Sequence, residues 1–126
     1  MRVKIVPNDT NNPAGKLADA ELHFEDGPLA GLKLIGFGIW ERRTSAGRNV
    51  TFPARAYTLN GERRSFALLR PITDPYAQER IRDLILEAYA AQEAAEQFRY
   101  ALQQVLEDVT DLPGDIGTMG HLTGKL

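Results

Sequence analysis

The chain has 126 residues, a formal net charge of −2, 43% hydrophobic and 25% charged residues, and no cysteine. That composition belongs to one ordinary globular domain, with room for an appendage. It excludes disulfide scaffolds and thiolate metal sites, and no apolar run is long enough to span a membrane. With no signal-like apolar segment near the start, the expectation is a cytoplasmic, microbial protein. The net charge conceals an asymmetry: residues 1–40 sum to −1, residues 41–70 to +5 and residues 71–126 to −6. The middle holds seven arginines against Glu41 and Glu62. A basic block of this kind marks either a nucleic-acid surface or a hairpin with solvated arginines.

In chain order, "RVKIVP" (2–7) reads as a short strand, and "NDTNNPAG" as a loop of turn formers. In "KLADAELHFED", Ala18, Ala20, Leu22 and Phe24 alternate with Asp19, Glu21, His23 and Glu25, the period of a strand with one wet face. "LKLIGFGIWERR" is a further strand, and Gly36 and Gly38 inside it predict a bulge or a close backbone approach. "VTFPARAY" is a strand in which Pro53 implies an edge or a bulge. Asn60-Gly61 predicts a type I′ hairpin turn, with "RRSFALLR" as the return strand. Strands over 18–25, 32–41, 50–58 and 63–70 therefore predict an antiparallel meander.

A two-residue loop at Asn60-Gly61 sets the hairpin register. Leu59 faces Glu62, Tyr57 faces Arg64, Arg55 faces Phe66, Pro53 faces Leu68 and Thr51 faces Arg70. Arg55, Arg64 and Arg70 then share a face with Tyr57 and Phe66. The other face, Phe52, Ala54, Ala56, Ser65, Ala67 and Leu69, is small and mostly apolar, suited to lie against another layer.

Asp74 before Pro75 predicts a helix start. From Tyr76 to Leu112 there is neither glycine nor proline. Ile81, Leu84, Ala88, Ala91, Ala95, Phe98, Leu102, Val105 and Val109 repeat at alternating spacings of three and four, a heptad seam. A continuous helix of this length spans about 50 Å. Its second half is expected to meet a helix of a partner chain; the alternative is a bend that folds it back. The fold class is α+β: a small antiparallel meander followed by a long C-terminal helix. The expected organisation is a domain over 1–89, a helical extension over 90–112 and a flexible tail over 113–126.

Motifs for catalysis are wanting. His23 and His121 have no ligand or base partner at a telling spacing, "GFGIWE" lacks the third glycine of a dinucleotide fingerprint, and "LTGKL" lacks the upstream glycine of a phosphate loop. No enzyme activity, metal or other cofactor is expected. What remains is the arginine-aromatic face. Arginine holds phosphate bidentately, and exposed rings stack unpaired bases; the same neighbours also occur as ordinary packing of an aliphatic stem over a ring.

The ordered set "ADAELHFE", "GLKLIGF", "VTFPAR", "NGERRSFALL", "RPI" and "RIRDLILEAY", from Ala20 to about Tyr89, resembles the SpoVG-like family of septation and sporulation regulators (stage V sporulation protein G). The resemblance implies a sheet-and-helix domain, a homodimer formed largely through the sheet, and regulatory binding of DNA or RNA. On it, Arg55 matches the basic position after the strand proline, Arg64 the basic position of the return strand, and Arg80 the basic residue at the helix start. The chain departs from the family at Tyr76–Glu79, where positive charge and a glycine are usual, at the one-residue insertion of Pro75, and in residues 90–112, which are additional. The expected nucleic-acid surface comprises Arg42, Arg43, Arg48, Arg55, Tyr57, Arg63, Arg64, Phe66, Arg70 and Arg80. The expected oligomer interface comprises Ile81, Leu84, Ala88, Ala91, Ala95, Phe98, Leu102 and Val105. The alternative is an assembly module that keeps the fold without binding nucleic acid.

Overall fold

A computed structural model of the chain describes residues 1–10, 12–42 and 47–110; the expected tail and Arg43 lie outside the described residues. The chain divides into two compact units, Met1–Gln92 and Glu93 onward, with the helix α1 (Ala77–Thr110) contributing to both. The α+β class holds: an antiparallel sheet, a two-stranded hairpin and one long helix.

In the first unit, β1 (Arg2–Pro7), β2 (Lys16–His23), β3 (Lys33–Glu41) and β4 (Arg48–Thr51) form one antiparallel sheet in the order β1-β2-β3-β4. The alternation of β2 works as its period requires. Ala18, Ala20 and Leu22 are buried beside Ile5, Phe37, Ile39 and Val50, while Asp19, Glu21 and His23 take the other face. Small alanines in the central strand let the helix come close, and Ile85 of α1 fills that space with no exposed surface. Ile81, Ala88 and Tyr89 pack around it.

Both strand glycines have a structural cause. The β2–β3 register shifts between Ala20 and Leu22, opposite the bulge that contains Gly36. Gly36 has φ +108°, and a Cβ there would lie 3.1 Å from Pro53 Cβ. Gly38 leaves room for the Trp40 indole, whose Nε1–H donates to Thr51 Oγ1 at 2.9 Å. A Cβ on Gly38 would stand 2.7 Å from that nitrogen.

The meander needs one correction. Residues 50–58 do not make a single strand: the chain breaks at the buried Pro53, and Thr51 pairs with Gly38 rather than Arg70. Proline carries no N–H for a ladder, so the strand ends there. Beyond it, β5 (Ala54–Leu59) and β6 (Glu62–Ala67) pair only with each other as a separate two-stranded sheet. The face predicted to lie against another layer does so only at its outer end: Phe52 and Leu69 pack on the core and Ala67 is half-buried, while Ala54, Ala56 and Ser65 are exposed.

The helix begins at Ala77, two residues after Pro75, and Asp74 holds the turn that leads into it. The Tyr76 N–H donates to Asp74 Oδ1 at 2.9 Å, and Arg80 Nη1 pairs with Asp74 Oδ2 at 2.7 Å. Gln78 Nε2 donates to the Leu69 carbonyl at 2.7 Å, which ties the first helical turn to the segment after β6. The buried stripe runs through Ile81, Ile85, Ala88 and Tyr89, so the helix turns Ile85, not Leu84, into the core; Leu84 is exposed. In the second unit, residues 93–110 are helical, and Phe98, Leu102, Val105, Leu106 and Val109 are all exposed. No helix among the described residues is long and apolar enough to cross a membrane.

Candidate nucleic-acid interface

The hairpin turn takes positive φ at both central residues, 52° at Asn60 and 80° at Gly61, the geometry of type I′. That turn sets the register. Leu59 pairs with Glu62, Tyr57 with Arg64, and Arg55 with Phe66. The Pro53 carbonyl accepts from the Leu68 N–H at 2.9 Å, continuing the same register one step outward. Arg55, Tyr57, Arg64 and Phe66 therefore share one face.

On that face Tyr57 and Phe66 meet diagonally, ring centroids 5.8 Å apart and planes at 53°. They remain 40% and 38% exposed, which leaves ring surface open for stacking. The Arg70 guanidinium lies 5.5 Å from the Phe66 centroid while its Nε donates to the Ala67 carbonyl at 2.8 Å. Arg70 thus joins the face without belonging to either strand. Arg64 is held by Glu62 at 3.0 Å, two residues back on the same strand. Arg55 has no acidic partner among the described residues. Nor does Arg63, which pairs with Thr58 on the opposite face.

The other predicted arginines are placed elsewhere. Arg48 at the start of β4 sits 4.7 Å over the Tyr89 ring and helps hold α1 on the sheet. Arg80 is engaged by Asp74 at the helix cap. Arg42 follows β3, its N–H donating to the Gly47 carbonyl at 3.3 Å. The structure brings Arg55, Tyr57, Arg64, Phe66 and Arg70 together, and not Arg42, Arg48 or Arg80. Of the seam residues, Ile81 and Ala88 pack on the chain's own core, while Leu84, Ala91, Ala95, Phe98, Leu102 and Val105 are exposed.

One polar cluster escaped the sequence reading. On the outer face of β2, Glu21 Oε1 accepts from His23 Nε2 at 2.9 Å and from Lys33 Nζ at 3.2 Å, and Arg2 Nη2 lies 3.4 Å from His23 Nδ1. The hydrogen bond from His23, then that from Lys33, holds the Glu21 carboxyl below its ordinary range. The signal was visible as alternating Asp19, Glu21 and His23, but Arg2 and Lys33 reach it only through strand pairing. Asp74 is likewise lowered, first by the Tyr76 N–H and then by Arg80.

The best-formed cleft, about 190 Å³, is lined by Leu22, Phe24, Leu34, Leu69 and Ile81 among others, and its walls are apolar. It gathers no set of convergent catalytic groups. Comparison with family models, with curated proteins and with solved structures gives no match.

Proposed function

We propose that this protein is a SpoVG-like nucleic-acid-binding regulator that contacts the DNA or RNA backbone through the β5–β6 hairpin. The observation that carries the reading is one exposed hairpin face on which Arg55, Arg64 and Arg70 surround the rings of Tyr57 and Phe66. Guanidinium groups supply phosphate contacts, and the open rings supply a surface for unpaired bases. The small face of Ala54, Ala56 and Ser65 is left for a second copy of the chain, which makes the binding form a homodimer.

The test is a titration of single-stranded and duplex oligonucleotides at two salt concentrations. Affinity falls steeply with salt when phosphates are neutralised. Arg55→Ala combined with Arg64→Ala lowers the log–log slope by about two on duplex DNA, at roughly 0.9 per phosphate contact. Tyr57→Ala weakens single strands by about 1–3 kcal/mol per stacked base and leaves the slope unchanged. Absence of binding at low salt sinks the proposal. It would favour the second reading, an assembly module without nucleic-acid binding, which draws support from the −6 charge of residues 71–126 and the exposed seam of the second unit.

A further inference from the structure

Protein interiors close over most of the space between their elements and leave few voids larger than a water molecule. The cleft of about 190 Å³ in the first unit is an exception. Separate parts of the chain wall it: Leu22 of β2 and Phe24 just after it, Leu34 of β3, Leu69 after β6, and Ala77 and Ile81 at the start of α1. Leu22 is buried, and Phe24, Leu34, Leu69 and Ile81 pack against the core, so the core itself holds the walls in place. The Gln78 amide, donating to the Leu69 carbonyl at 2.7 Å, ties the helix wall to the segment after β6. The cleft is therefore formed before anything enters it, which lowers the ordering cost of binding.

Size and chemistry narrow the occupant. An apolar cavity of about 150 Å³ takes benzene, so about 190 Å³ suits a body of about six to eight carbons. Nucleobases, sugars and peptide backbone fit poorly, because their polar edges would leave water without gaining partners on apolar walls. Gln78 already commits its amide N–H to Leu69. Arg70 is the only residue on the walls with a charged side chain. It has no acidic partner among the described residues, and its side chain makes one hydrogen bond there, from Nε to the Ala67 carbonyl at 2.8 Å. The Nη donors of its guanidinium are left for an anion. Water in the cleft finds few partners, so a hydrocarbon chain displaces it favourably. The walls thus call for a hydrocarbon body, and the single cation for a negatively charged end.

We infer that this cleft is a binding site for a medium-chain carboxylate of about six to eight carbons, its chain against Leu22, Leu34 and Ile81 and its carboxylate on the Arg70 guanidinium. The inference does not depend on nucleic-acid binding.

Octanoate is the probe, titrated into the full chain while methyl NMR signals are followed. The shifts should saturate with a Kd of about 0.1–1 mM and stay within Leu22, Leu34, Leu69 and Ile81. The exposed Leu102, Val105 and Leu106 of the second unit should not move, which separates a formed site from adsorption on apolar surface. Acetate carries the charge without the chain and should produce no shifts. Octylammonium carries the chain with the opposite charge and should bind about tenfold more weakly or worse. Arg70→Met keeps an apolar stem and removes the cation. It should weaken octanoate about tenfold and leave octanol unchanged. Ala77→Phe puts a ring into the cleft and should abolish binding; Arg70→Met, at an exposed position, decides the matter should Ala77→Phe fail to fold. The inference is overturned by the absence of saturable shifts at about ten times the expected Kd, or by shifts as large in the second unit. Octylammonium binding as well as octanoate overturns it, as does an unchanged octanoate affinity in Arg70→Met. So does a solution mass above one protomer that falls when octanoate is added, since a second copy then covers the cleft.

Discussion

β3 buries Phe37 and Ile39 completely, while β5 and β6 leave every residue but Ala67 exposed. Yet the hairpin has the better-defined turn and a bulge-free register over all its pairs. The two sheets show what local signals can and cannot do. A good turn and matched pairs align two strands, but burial against a second layer supplies most of the stability. β2 and β3 gain it from α1. The hairpin instead spends its aromatic side chains on an open face, as a surface built to meet something outside the chain would.

Substitutions of the same chemistry in the two sheets should therefore diverge most. Phe37→Ala removes a fully buried ring packed edge-on to Phe52 at 5.2 Å and should cost about 3–5 kcal/mol in urea unfolding. Phe66→Ala loses its contact with Tyr57 and the Arg70 guanidinium, and should cost about 0.5–1.5 kcal/mol. Equal losses at the two sites would mean that the hairpin is covered by its own chain in solution, and would break the comparison.

The hairpin register and the helix start were legible because each rests on neighbouring residues: Asn60 with Gly61, and Asp74 with Pro75. The separation of the hairpin from the sheet was harder to read. Pro53 announces a disturbance, but whether a strand continues past it depends on Gly36, seventeen positions earlier, making room for the ring. The helix offered a true ambiguity. Ile81, Leu84 and Ala88 form one stripe, Ile81, Ile85 and Ala88 another, and both have helical spacing. Burial on the alanines of β2 selects Ile85. Nor does an arginine count disclose that Arg48 lies over Tyr89 or that Arg80 pairs with Asp74. Those roles come from tertiary neighbours, and they shrink a ten-residue basic surface to one hairpin face.

The junction between the sheets is the next place to test. Gly36→Ala puts a Cβ 3.1 Å from Pro53 in a backbone conformation of φ +108° that L-residues seldom adopt. The strain should cost about 1–3 kcal/mol. Because Gly36 lies in β3 and meets the residue that ends β4, the loss should appear in the four-stranded sheet. Amide exchange should quicken in β2–β4 before it does in β5–β6. Uniform quickening would show instead that the two sheets unfold as one element.

The smallest effect separates the sheets by charge. The four-stranded sheet carries a polar cluster, with Glu21 accepting from His23 and Lys33, while Arg55 and Arg63 of the hairpin have no acidic partner among the described residues. Acid sensitivity should follow the first. The folded-state pKa of Glu21 is lowered from an ordinary value of 4.5, chiefly by His23 and next by Lys33. Its contribution to stability is thus complete above that value and is lost as the pH falls through the lower folded one. In urea midpoints taken between about pH 3 and pH 6, Glu21→Gln should flatten the acid limb, with its largest deficit at the upper end. Arg55→Ala should leave the limb unchanged, since no carboxylate among the described residues pairs with that arginine. Flattening by Arg55→Ala would place an acidic partner on the hairpin face and remove the ground for treating it as free to meet phosphate.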